Sequence, residues 1–194
     1  MINLKKIEEI FKKASIDKYE VTDKVSDDLD SLISQLFSVN QYIWSLEDIV
    51  RIKELGFEKI AQTKSNIDVQ NQLRNNIVRK MDAKIEIELD NSDLNDINKF
   101  YSESPAMIID RLSIMFIRRL EIRKILDILP EGEIKDDYLS KEKLVNGQIE
   151  RLGGFLDIFF SRIKSREGYF KIMEPIKIYN DERVKQYIKS LSNK

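Results

Sequence analysis

The sequence predicts an all-α protein: an antiparallel helical bundle of about five main helices with a short extended C-terminal segment, forming a single helical domain over residues 1–194. Three observations carry that expectation. Apolar residues recur at helical spacing along most of the chain. Helix start and stop signals divide it at Ser26, Gly56, Ser104-Pro105, Pro130-Glu131-Gly132 and Gly168. A chain of 194 residues suits one well-buried domain and is short for two.

Residues 2–14 read as a short amphipathic helix with Ile2, Ile7, Ile10 and Phe11 on its buried side, interrupted by the mostly polar stretch Asp17 to Lys24. Ser26, followed by Asp27 and Asp28, is the expected N-cap of a second helix running to about Leu55, with Gly56 as its stop. Its apolar face holds Leu29, Leu32, Ile33, Leu36, Phe37, Ile43, Trp44 and Val50, and Asn40, Glu47 and Arg51 intrude on that face. A third helix covers Lys64 to Asp82. At about 100° per residue, Lys64, Asp68, Asn71, Asn75 and Asp82 share a stripe roughly 60° wide. Ile60, Ile67, Ile77, Val78 and Met81 run beside it, with Arg74 in their midst. A solvated face needs no such sorting, so the stripe is expected to face a cleft or the interior.

An antiparallel turn at Gly56 would set Glu47 opposite Lys64–Ser65, Trp44 opposite Asp68 and Asn40 opposite Gln72. Residues 83–103 read as helix end, loop and one turn. Ser104 as N-cap and Pro105 at the first position start a fourth helix that runs to about Leu129. Its first half is apolar nearly all round, hence central, and Asp110 and Arg111 there need partners. The fifth helix, Leu139 to Ser165, is expected to bury Leu144, Ile149, Leu152, Phe155, Leu156, Phe159 and Ile163, with Gln148 in the same arc. Gly153-Gly154 within it implies a close helix approach or a break. Strand-like alternation follows at 170–178, divided by Pro175, and a short helix from about Asp181 ends the chain.

Composition narrows the chemistry. The 33 basic and 34 acidic residues nearly cancel, unlike the balance of a nucleic-acid binder, so no nucleic-acid partner is expected. Cysteine and histidine are absent, which removes disulfides, thiolate nucleophiles and imidazole-ligated metals. Catalysis would have to use carboxylates, Lys, Tyr, Ser, Thr or a metal held by oxygen. The N-terminus lacks the apolar run of a signal peptide, and no segment approaches the ~18 apolar residues of a membrane span. A cytoplasmic location is the expectation.

Four blocks, NQYIWSLEDIVR, KSNIDVQNQLRNNIVRKMD, ESPAMIIDRLSIM and FKIMEPIKIYND, resemble in order and spacing the bacterial domain-of-unknown-function 4254 family over about residues 38–182. Trp44, Glu47, Asp48 and Arg51 match its first block, while Ser45 and Leu46 replace a His and a Glu. Lys64, Ile67, Asp68, Asn71, Gln72, Arg74, Asn75 and Asp82 match the second, with Asn76 where an Asp is usual. Glu103, Pro105, Asp110, Arg111, Leu112 and Ser113 carry the third. The resemblance implies an all-helical fold without an assigned activity, among genes of sugar transfer and envelope glycans. Chemistry that needed the family's His would be lost or moved in this chain.

The candidate site therefore comprises Asn40, Trp44, Glu47, Arg51, Lys64, Asp68, Asn71, Gln72, Arg74, Asn75, Asp110 and Arg111. One reading is an inter-helical pocket for a small anionic or phosphorylated ligand, with Arg51, Lys64, Arg74 and Arg111 gripping the anion and amides orienting hydroxyls. A second is a structural network of buried pairs, Glu47–Arg51, Lys64–Asp68 and Arg74–Asp110, in a scaffold or interaction module. A third is an all-α pyrophosphatase-like hydrolase using Glu47, Asp48 and Asp68 for Mg²⁺. Against it, Arg51 occupies the position where such an enzyme would pair a second carboxylate with Glu47. No cofactor is otherwise expected. Trp44 fits a core position better than a stacking platform, the alternation of Lys171 and Lys177 with Ile fits an amphipathic extended segment better than a closure over the pocket, and oligomeric state stays open.

Overall fold

A computed structural model describes residues 2–16, 24–173 and 182–192. The polar stretch at 17–23 and the segment 174–181, with Pro175 and Lys177, lie outside the described residues. The described residues form six α-helices, α1 (Leu4–Ala14), α2 (Leu29–Val50), α3 (Gly56–Glu88), α4 (Pro105–Ile128), α5 (Glu133–Lys164) and α6 (Glu182–Ser192), with two-residue strands β1 (Phe100–Tyr101) and β2 (Tyr169–Phe170). The fold is the expected all-α bundle. Among the described residues no helix is long and apolar enough to cross a membrane.

Two long hairpins make the frame. α2 and α3 pack along each other, as do α4 and α5. Asn66 on α3 donates to the Tyr42 hydroxyl on α2 at 3.0 Å, and Lys80 reaches Asp27 at 2.6 Å, so the first pair runs antiparallel. Its turn differs from expectation. α2 stops at Val50, a 3-10 turn covers Lys53–Leu55, and Gly56 opens α3 with φ +78, a left-handed value suited to glycine. Asp28, not Ser26, caps α2 through its carboxylate to Ser31 N–H, while Ser26 N–H donates to Gln35. Ser104 and Pro105 start α4 as the sequence implies.

The core lies where α1 closes the space between the hairpins. Phe11 stacks on Phe37 of α2 at 4.8 Å and meets Phe116 of α4 edge-on at 5.2 Å. Leu32, Ile33 and Leu36, Ile77 and Met81, Ile109 and Leu112, and Leu156 and Phe159 surround them, fully buried. Each such side chain contributes roughly 1.5–3 kcal/mol by leaving water.

α5 remains unbroken at its glycine pair. A Cβ on Gly153 would collide with the Leu4 side chain, so this glycine admits α1 rather than ending a helix. α1 covers only that half of α5. Fully buried α5 residues begin at Ile149, whereas Leu144 is 66 % exposed and Phe155 37 % exposed, against expectation. α1 meets α5 at Gly153 and Asp157, more than two turns beyond Leu144, while Phe155 leans on Tyr101 and Phe159 and keeps part of its ring at the surface.

The segment after α3 is more ordered than a loop. β1 pairs in parallel with β2, Phe100 opposite Tyr169 and Tyr101 opposite Phe170. Asn91 completes the pairing as a strand would. Its side-chain N–H donates to Phe170 O at 3.0 Å and its oxygen accepts from Phe170 N–H at 3.2 Å. This bridge ties residues 169–173 across the end of α3.

Candidate functional site

Asn40, Trp44, Glu47 and Arg51 follow each other at intervals of four, three and four, which sets them on one face of α2. That face meets Arg74 from α3 and Ile114 and Ile117 from α4, and together they wall a cavity of about 200 Å³. At its inner end Asn40 is almost fully buried, and its amide donates to Asp110 Oδ1 at 2.8 Å and to Ser113 Oγ at 2.6 Å. The Ser113 hydroxyl in turn donates to the Asp110 carbonyl at 2.7 Å. Asn40 thus locks α2 to α4 with both N–H groups used.

Arg74 brings α3 into the same cluster. Its Nε lies 3.5 Å from Asp110 Oδ2, and Nη1 donates to Asn71 Oδ1 at 3.3 Å. Nε is buried yet makes no hydrogen bond, since the approach to Asp110 gives charge attraction without hydrogen-bond geometry. Burial pushes the Asp110 carboxyl above its ordinary pKa, opposed by the Arg74 charge and the Asn40 hydrogen bond. The Arg74 side chain, 28 % exposed on the cavity wall beside an indole and a half-buried carboxylate, can take an anionic or hydroxylated group.

Several expected members lie elsewhere. Arg51 pairs with Asp48 at 3.0 Å, both exposed, rather than with Glu47, which has no ion-pair partner among the described residues. Lys64, Asp68 and Asn75 are exposed, and no ion pair joins Lys64 to Asp68 among the described residues. Arg111 turns outward and is held by both Glu103 oxygens at 2.7 and 2.8 Å. The buried residues of α3 are Thr63, Ile67, Gln70, Leu73, Ile77, Met81, Asp82 and Ile85, which include Ile67, Ile77 and Met81 of the expected apolar edge. α3 has α2 and α4 on neighbouring sides only, so its polar stripe flanks the interface and meets water along most of its length. Asp68 stands apart from Glu47 and Asp48, and among the described residues no three carboxylates are assembled to hold a metal.

One interior acid was not in the expected set. Asp82 ends the polar stripe and is only 3 % exposed. Its Oδ2 accepts from the Ser104 hydroxyl at 2.5 Å and its Oδ1 from Ala106 N–H at 2.9 Å. A carboxylate at the start of a helix satisfies free N–H groups and the dipole. Burial nevertheless pushes the carboxyl up to about 6, with the Glu86 charge adding and the two hydrogen bonds opposing. The sequence signal was present as an acid closing the stripe and a Ser-Pro helix start, but nothing local shows that the two meet. Gln72 and Asn75 lie on this side too, lining a second cavity with Asp82 rather than the Arg74 cleft.

Residues 30–172 match the family described as Protein of unknown function (DUF4254). The chain belongs to that family. The match opens at the start of α2 and closes at Ile172, inside the C-terminal segment, so the Arg74 cleft and the cavity beside Asp82 fall almost wholly within it in this DUF4254 chain while α1 and α6 lie outside. It also covers every residue of the expected site. No curated protein and no solved structure matches the chain.

Proposed function

We propose that this DUF4254 chain binds a small anionic ligand, of the phosphorylated sugar or polyol type, in the cleft between α2, α3 and α4. The observation that carries the reading is Arg74, whose partly exposed side chain stands on the wall of a cavity of about 200 Å³. Arg74 grips the anionic group, with Arg51 at the mouth. Trp44 offers an apolar face to a ring, and Glu47 accepts from hydroxyls. Asn40 and Asp110 hold the arginine in place. The magnesium-dependent hydrolase reading lacks support, because its acids do not converge.

The structural reading has an observation of its own in the closed Asn40–Ser113–Asp110 network. Thermal denaturation separates the two. A panel of sugar phosphates is expected to raise the melting temperature of the wild type, and Arg74→Ala is expected to abolish the shift while remaining folded. A panel without effect on the wild type would leave the network as a purely structural device.

A further inference from the structure

α3 also borders a cavity of about 290 Å³ that shares no residue with the Arg74 cleft. Ligand pockets start at roughly this size, with mostly apolar walls and a few converging polar groups. Its apolar wall is Val78 from α3, Met107 from α4, and Ile172 and Met173 from the segment that β2 ties down. Both methionines are exposed, so two flexible thioethers stand at an open cavity instead of filling the core. The walls contain no aromatic ring, and a ligand body here rests on aliphatic and thioether contacts rather than stacking.

The charges on the wall are already matched. Lys171 pairs with Asp93 at 2.6 Å. Arg79 donates to Asn76 at 2.6 Å and has a further interaction besides. Asp82 accepts from the Ser104 hydroxyl and from Ala106 N–H, and burial disfavours its ionised form. A negative head entering the cavity would meet Asp82, with Glu86 and Asp93 close behind the wall. A positive head would meet Arg79 and Lys171. Either would give up its water without gaining an unspent countercharge.

Two neutral groups remain. Among the described residues, the Asn75 amide and the Ser102 hydroxyl on this wall make no side-chain hydrogen bond. Each can both donate and accept. We propose that this cavity is a second ligand site, for a small uncharged molecule whose amide or hydroxyl head meets Asn75 and Ser102 and whose aliphatic body lies on Val78, Met107, Ile172 and Met173.

Pentanamide is the probe that tests the site, with pentanoate and pentylammonium as charged analogues of the same length. The full chain labelled with methyl-13C methionine is titrated and followed by NMR, so that each of the five methionines reports its own surroundings. Pentanamide at millimolar concentration is expected to shift the methyl signals of Met107 and Met173 and to leave those of Met81 and Met115 largely in place. The two charged analogues are expected to bind about tenfold or more weakly. Asn75→Ala, at an exposed position, is expected to weaken pentanamide about fivefold, and the half-exposed Met107→Glu about tenfold. No shift with pentanamide, shifts confined to the other methionines, or an equal response to either charged analogue would overturn the proposal. Failure of the Arg74 cleft to bind sugar phosphates would not touch it.

Discussion

Replacing Asp82 by Asn separates the cost of a buried charge from the value of the hydrogen bonds around it. Both acid forms can be satisfied at this position. The ionised carboxylate accepts from Ser104 and Ala106, and the protonated one can donate to Ser104 Oγ while still accepting from Ala106 N–H. Asn reproduces the second arrangement with its amide nitrogen toward Ser104. Because the folded-state pKa is raised from 3.8 to about 6, the folded protein holds this proton more tightly than the unfolded chain does. The associated stability is therefore complete below about pH 4 and lost as pH rises through about 6. The displacement corresponds to about 3 kcal/mol. Urea denaturation of both proteins at a series of pH values isolates that quantity, since other groups titrate alike in both. The stability difference is expected to move by about 2.5 kcal/mol in favour of Asp82→Asn between about pH 4 and about pH 7. A difference that stays constant over that range would mean that Asp82 titrates as an ordinary acid, and the burial argument would be refuted.

The glycine pair of α5 gives a paired test. Gly154→Ala has open space around its new methyl and is expected to stabilise by up to about 1 kcal/mol in chemical denaturation. Gly153→Ala collides with the Leu4 side chain and is expected to destabilise, with Leu4→Ala in the same chain relieving the loss. Asn40→Ala removes both donors that bind α2 to Asp110 and Ser113 and is expected to cost about 1–3 kcal/mol, read as a lower urea midpoint at unchanged slope.

What the sequence by itself determined was the all-α class, the Ser104-Pro105 start of α4, the antiparallel pairing of α2 with α3, and the face of α2 that carries Asn40, Trp44, Glu47 and Arg51. These follow from period, caps and turn chemistry, which are local along the chain. The Arg74–Asp110 pair was legible too, because two charges on apolar faces must find partners. Only the tertiary structure decided that the stripe from Lys64 to Asn75 meets water along most of its length and that Arg111 turns to Glu103. Helical spacing says which residues share a face; which neighbours cover that face depends on the number and placement of helices packed against it. The same limit hid the Asp82–Ser104 contact, which joins residues 22 apart through the meeting of two helix ends. Leu144 and Gly153 lie on one helix, and the reach of α1, eleven residues long, leaves the first exposed and buries the second.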